Sequence, residues 1–257
     1  VTGVQTCALP ICRLSFQVAN LNRPGLLAAL HLDHLEVLTL MGTRKNNLDL
    51  TPLAQAPSLR KLTLESHRRG IEALSAAPRL EQLALWAQPK SQSLDFIAHI
   101  KPLLALSLIR GGRETLDDLT HPSLQFLHLT WINGLRDLGP MRRFPSLQDL
   151  SVSDQLRLDS IDLSATHLRF LGLHNCKKLK RIDGLENLHR LEQFTATQTA
   201  LPLDPLRDRK WPATLRVLRL WSTSMKWNRA TEAHLTALGY QQTPAPWFQS
   251  DLDETFG

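Results

Sequence analysis

The pattern apolar-x-x-apolar-x-apolar begins at Leu35, Leu59, Leu80, Leu103, Leu124, Leu147, Leu168, Leu191 and Leu215, at intervals of 24, 21, 23, 21, 23, 21, 23 and 24 residues. So even a period makes the chain an array of stacked units. In an extended segment the fourth and sixth positions of the pattern share one face, while the third, fifth and seventh point the other way. One unit cannot bury its leucines alone. Units stacked about 4.8 Å apart can, and nine of them would build a sheet roughly 40 Å long. Composition agrees, because 53 of the 257 residues are leucine and only 14 are isoleucine or valine. A sheet core of ordinary kind would use the β-branched types freely, so the skew marks one slot repeated many times.

Pro57, Pro78, Pro102, Pro122, Pro145 and Pro212 each fall shortly before a strand. Proline removes a backbone donor and disfavours helix in the residue before it, so it ends the outer segment and releases the chain into the strand. Units this short leave no room for long outer helices. Single turns, 3₁₀ pieces or short helices are expected there, with residues 70–77 and 93–100 as candidates.

The unit resembles that of the leucine-rich repeat family, L-x-x-L-x-L-x-x-N/C-x-L. In LRFLGLHNCKKL, Leu168, Leu171, Leu173, Cys176 and Leu179 fill every signature position. The resemblance covers residues 14–227 and implies an α/β solenoid: a right-handed horseshoe with a concave parallel β-sheet and short helical or 3₁₀ convex segments. The stretch IDGLENLHRL, with Ile182, Leu185, Leu188 and Leu191, resembles the short repeats of internalins and of phosphatase-regulatory repeat proteins. The ninth signature position departs from the family. It holds Thr43, His67, Gln88, Gly111, Ile132, Gln155, Cys176, Thr199 and Thr223, so no asparagine ladder can run through it and less regular turns are expected.

Four segments are expected. Residues 1–11, VTGVQTCALPI, resemble a sequencing-adapter oligonucleotide read as codons, a scar known from metagenomic assemblies, and are excluded from fold reasoning. The true N-terminus is then expected to lie upstream. Residues 12–34 read as a truncated N-terminal repeat, with Leu14 and Phe16 in register. Residues 35–227 form the array of about nine repeats, and residues 228–257 the C-terminal cap. Aromatic residues gather near that end at Trp221, Trp227, Tyr240, Trp247 and Phe248, and residues 231–239 read as a short helix with a threonine N-cap and a glycine C-cap. A solenoid end needs covering, although an aromatic peptide-binding tail is the rival reading.

Cys7 lies in the scar and Cys12 at its junction, leaving Cys176 as the native thiol. One cysteine makes no disulfide framework, and no N-x-S/T sequon occurs. A reducing, cytoplasmic setting is expected. The chain also lacks dinucleotide, P-loop, zincin, C-x-x-C and nucleophile-elbow motifs. His31 with His34, and His174 two before Cys176, give only pairs of donors, too few for zinc. Neither catalytic residues, metal nor cofactor is expected. No membrane association is expected either, and the chain is read as a monomer.

The net charge of +6 raises the possibility of a nucleic-acid partner. At outward strand positions, however, Lys61, Arg110 and Arg219 face Glu65, Asp149 and Asp154, so the concave face is read as neutral. The excess sits in outer runs, including Lys177, Lys178, Lys180 and Arg181, and nucleic acid is disfavoured. The concave strands instead carry Phe126 and Phe170 at third positions, His128 at a fifth, Trp86, Ile109 and His174 at seventh positions and Trp131 at an eighth. Other fifth positions are mostly small. A shallow trough with rings along it suits a protein partner, because exposed aromatics dominate binding energy; stacking of rings between neighbouring repeats is the alternative. The reading is therefore a non-catalytic protein-interaction module gripping its partner through Trp86, Ile109, Phe126, His128, Trp131, Phe170 and His174. The alternatives are an anion or nucleic-acid binder using the convex basic runs, or the repeat half of a larger effector.

Overall fold

The computed structural model describes residues 13–17, 25–30, 32–42 and 48–243. The adapter-like segment, Cys12, His31, Thr43, Trp247 and Phe248 lie outside them. Twelve strands follow in chain order: β1 (Arg13–Gln17), β2 (Val37–Met41), β3 (Lys61–Glu65), β4 (Gln82–Trp86), β5 (Ala105–Ile109), β6 (Phe126–Thr130), β7 (Asp149–Ser153), β8 (Ser160–Asp162), β9 (Phe170–His174), β10 (Arg181–Asp183), β11 (Gln193–Thr197) and β12 (Val217–Trp221). Ten of them make one parallel sheet in the order β1-β2-β3-β4-β5-β6-β7-β9-β11-β12, while β8 and β10 pair separately. This is the expected right-handed solenoid, since parallel crossovers wind that way. Strand β1 joins in register, Leu14 opposite Leu38 and Phe16 opposite Leu40.

Leucines at the fourth and sixth positions form two continuous rows inside. Leu62, Leu83, Leu106, Leu127, Leu150 and Leu171 are consecutive Cα partners, and all are buried. Near the C-terminal end the volumes trade places, with Phe194 and Ala196 where two leucines would stand. The larger ring packs on Trp211 at a centroid distance of 5.2 Å, and the Trp211 indole N–H donates to the Leu206 carbonyl at 3.0 Å. Buried aromatic nitrogen is thereby satisfied.

The backbone repeats as strictly as the leucines. At each step one carbonyl accepts two successive N–H groups of the next repeat, as Gln125 O does from Gln148 at 2.9 Å and Asp149 at 2.9 Å. Beyond each strand, Ser66, Ala87, Arg110, Trp131, Asp154, Asn175 and Gln198 all adopt positive φ between 51° and 60°. Each is the eighth residue of its repeat, and its N–H bonds to the seventh-position carbonyl of the next, as Trp131 does to Ser153 at 3.0 Å. The turns are thus regular, contrary to expectation. The ninth residues help without asparagine: Gln155 Nε2 donates to Leu129 O at 3.3 Å and Ser153 O at 2.8 Å. The Cys176 thiol likewise lies 3.5 Å from Val152 O and 3.4 Å from His174 O.

On the convex side short 3₁₀ turns occur at Thr51–Gln55, Ile71–Ala76, Asp95–His99, Met141–Arg143 and Leu185–Asn187. Proline builds the reverse turn that follows: Leu59 N donates to Ala56 O across Pro57, and Leu147 N to Phe144 O across Pro145, with proline at the second turn position, where its φ is preset. Two α-helices close the array, α1 (Leu203–Arg207) and α2 (Met225–Ala237).

Helix α2 starts six residues before Thr231, which the sequence suggested as its cap. Ser224 is the N-cap, its hydroxyl accepting from Trp227 N at 3.3 Å, and Thr231 sits buried inside the helix. The C-terminal glycine is placed as expected: Gly239, at φ 91°, completes a Schellman turn in which Tyr240 N donates to Leu235 O at 3.0 Å. Leu235 packs into the core, and Asn228 grips the chain leaving β12 by accepting from Ser222 N at 2.8 Å and donating to Ser222 O at 3.0 Å. The helix therefore covers the final strand.

Candidate functional site

Strand register arranges the outward side chains in three rows. The middle row is mostly small, with Thr39, Thr63, Ala84, Ser107 and Thr195 all below a tenth exposed, and His128 and Arg219 are its large members. Those residues are the floor of a trough whose walls are the third-position and seventh-position rows.

In one wall, Phe126, Asp149 and Phe170 are direct neighbours on β6, β7 and β9. Asp149 is only 3% exposed, and so is His128. The His128 imidazole Nε2 lies 3.7 Å from Asp149 Oδ1. The structure thus takes His128 off the gripping surface, because its ring sits in the floor row between Ser107 and Ser151 and turns to the buried carboxylate. Phe126 and Phe170 are half-buried on either side. The Arg169 guanidinium lies 5.4 Å from the Phe170 ring and is held by Glu192 through contacts of 2.8 and 3.0 Å. Strand parity placed Asp149 outward, but outward is not exposed once bulky neighbours flank it.

Burial raises the Asp149 carboxyl above its ordinary 3.8, with His128 offsetting part of the rise. The folded chain then keeps this proton at pH values where the unfolded chain has lost it, so this group's contribution to stability falls as pH rises through that window. Asp149→Asn removes the titration. The melting temperature of the variant minus that of the wild type should therefore grow as pH rises from about 4; a difference independent of pH would show that Asp149 does not titrate as its burial requires.

The other wall holds a stack of three side chains. Arg110 Cζ lies 5.9 Å from the Trp86 ring centroid and 5.4 Å from that of Trp131. Such cation–π contacts are worth about 0.5–2 kcal/mol, more when water is excluded. Trp131 is 54% exposed and is among the few large apolar side chains left in solvent. Arg110 and Trp131 are both eighth residues, so the left-handed turn beyond each strand sets their placement. Sequence reasoning named both tryptophans but counted Arg110 only as a charge. Ile109, expected beside them, is 8% exposed, packed into the row between Trp86 and Thr130. His174 is exposed, its Nδ1 2.5 Å from Thr197 Oγ1 on the next strand.

Cys176 is fully buried, and burial pushes its thiol up to about 11, so it holds no thiolate at neutral pH. Among the described residues no group of three or more His, Cys, Asp or Glu could hold a metal ion. None of their helices is long and apolar enough to cross a membrane.

No protein-family model matches the chain, and no curated protein does. Among solved structures, internalin C2 of Listeria monocytogenes is similar at 19% identity over 82% of this chain and 80% of its own, with a TM-score of 0.46. An internalin, inlF, of the same organism is similar at 16% identity over 92% and 88% of the two chains, with a TM-score of 0.40. The fold assignment rests on the sheet and its register.

Proposed function

We propose that the chain is a non-catalytic protein-interaction module that holds a protein partner in the trough of its concave sheet. The observation that carries this reading is the Trp86–Arg110–Trp131 stack, which leaves a half-exposed indole at the rim of a floor made mostly of small residues. Large rings fixed beside a guanidinium are the side chains that concentrate binding energy at protein interfaces. Phe126, Phe170 and His174 extend the contact surface across the trough, while His128 lies in its floor and Ile109 in its wall.

Trp131→Ala is the decisive variant, since its ring can be removed without opening the leucine core. It should weaken partner binding by about 2 kcal/mol or more, the loss typical of a hot-spot ring, with the fold kept and the melting temperature lowered only slightly by loss of the exposed Arg110 contact. Affinity purification from the source cell, comparing this variant with Lys101→Ala on the convex side, reads the effect. Equal recovery of the same protein by both variants would place the binding face elsewhere.

A further inference from the structure

A cleft of about 550 Å³ opens beside the sixth to eighth strands of the main sheet, lined by Arg136, Arg157, Asp159, Lys178 and Lys180. Arg157 and Lys178 are the eleventh residues of successive repeats, and Arg136, Asp159 and Lys180 the thirteenth residues of three. Stacking sets them side by side, as Lys180 N donating to Asp159 O at 2.8 Å records. Four cations against one carboxylate leave the lining at +3.

Elsewhere on the surface, neighbouring repeats pair opposite charges, as in Arg60 with Glu81 at 2.9 Å, Lys90 with Glu114 at 2.9 Å and Arg169 with Glu192 at 2.8 Å. Here they do not. Among the described residues none of the four cations forms an ion pair. Asp159 Oδ1 accepts from Ser160 Oγ at 3.2 Å, and Glu114, within the field of Arg136 and Arg157, is already taken by Lys90. Like charges set side by side repel, so an anion from outside would relieve the cluster. The backbone is also unusual at this place. The β8–β10 pair, outside the main sheet, has Ile182 opposite Ile161 and starts directly after Asp159 and Lys180. That pairing holds the backbone of Asp159 and Lys180 side by side.

We propose that this cleft binds a small polyanion carrying at least two phosphate or sulfate groups. Two arginines supply planar forks matched to such oxygens, and two lysines supply point charges. The volume lies within the ordinary range of small-molecule sites. The run Lys177, Lys178, Lys180 and Arg181 is split by the fold. Arg181 is drawn to Asp183 at 2.9 Å and Lys177 does not line the cleft, whereas Arg136 and Arg157 join from the two preceding repeats.

Titration calorimetry of the full chain at low ionic strength, with tripolyphosphate as the probe, tests the site. Saturable one-to-one binding, tighter than that of orthophosphate, is expected. Arg157→Ala with Lys178→Ala should weaken it roughly a hundredfold, about tenfold for each charge-assisted bond lost. Arg157→Lys with Lys178→Arg should retain most of the affinity, and Lys101→Ala all of it. Vesicles carrying phosphatidylinositol bisphosphate separate the sources. Binding that tripolyphosphate displaces puts the anion on a lipid headgroup, absence of vesicle binding leaves it a soluble molecule, and either result keeps the site. No saturable binding, an unchanged affinity in the double alanine variant, or tight binding of DNA that tripolyphosphate fails to displace would overturn the proposal.

Discussion

Leu171→Ala should lower the free energy of unfolding by about 2–5 kcal/mol, measured by urea denaturation. Leu171 is fully buried on β9, and its Cα partners on either side are Leu150 and Phe194. Both neighbours are equally buried and held in register by the ladder, so neither can move far to fill the space left by the lost methyl groups. The cavity term therefore adds to the lost transfer energy, which is why such changes cost more than area alone suggests. In a solenoid each repeat leans only on its neighbours, so hydrogen exchange should accelerate first in β7, β9 and β11 and last in β2 and β3. A near-neutral change would mean that Leu171 is not on the inner row.

Gly184→Ala should cost about 2–4 kcal/mol, although it adds a single methyl group, because Gly184 is buried where β10 ends. Gly184 stands at φ 81°, where an L side chain is strained. Its Cβ would also press on Ser164 N and lie 2.5 Å from Ser164 Cα and 2.7 Å from Leu163 C. Those are backbone atoms, so no flexible side chain can move aside. Relief would disturb the loop after β8, where Ser164 N donates to Asp162 Oδ1 at 2.9 Å and Leu163 N to Asp183 O at 2.8 Å. Gly25→Ala separates strain from crowding. Gly25 has a similar φ of 85° but nothing within 4 Å of an added Cβ, so it should cost only about 1 kcal/mol. Equal melting temperatures for the two variants would refute the close approach at Ser164.

The solenoid was legible because leucine spacing reports parity directly: every fourth and sixth position from Leu38 to Leu220 is inside. What parity does not report is whether an outward side chain reaches solvent, since that depends on neighbours one repeat away, some twenty positions along the chain. Hence Asp149 and His128 read as surface residues and proved to be a buried pair between phenylalanines. The seven left-handed residues were invisible for a related reason. None is glycine, and the conformation follows from each N–H reaching the next repeat's carbonyl, not from the residue itself. Helix α2 was cut short because Thr231 and Ser224 are both acceptable caps, and only the packing of Asn228 against Ser222 chooses between them. Arg110 became part of the site through the turn that carries it between two tryptophans contributed by neighbouring repeats.

The central claim, a protein held in the concave trough, is tested most directly by photo-crosslinking. A photoreactive residue is placed in turn at Trp86, Phe126, Trp131, Phe170 and His174, and at the convex positions Ser75, His99 and Arg142. The account predicts a covalent adduct of one protein from the concave positions and none from the convex ones. Adducts confined to the convex positions would contradict it.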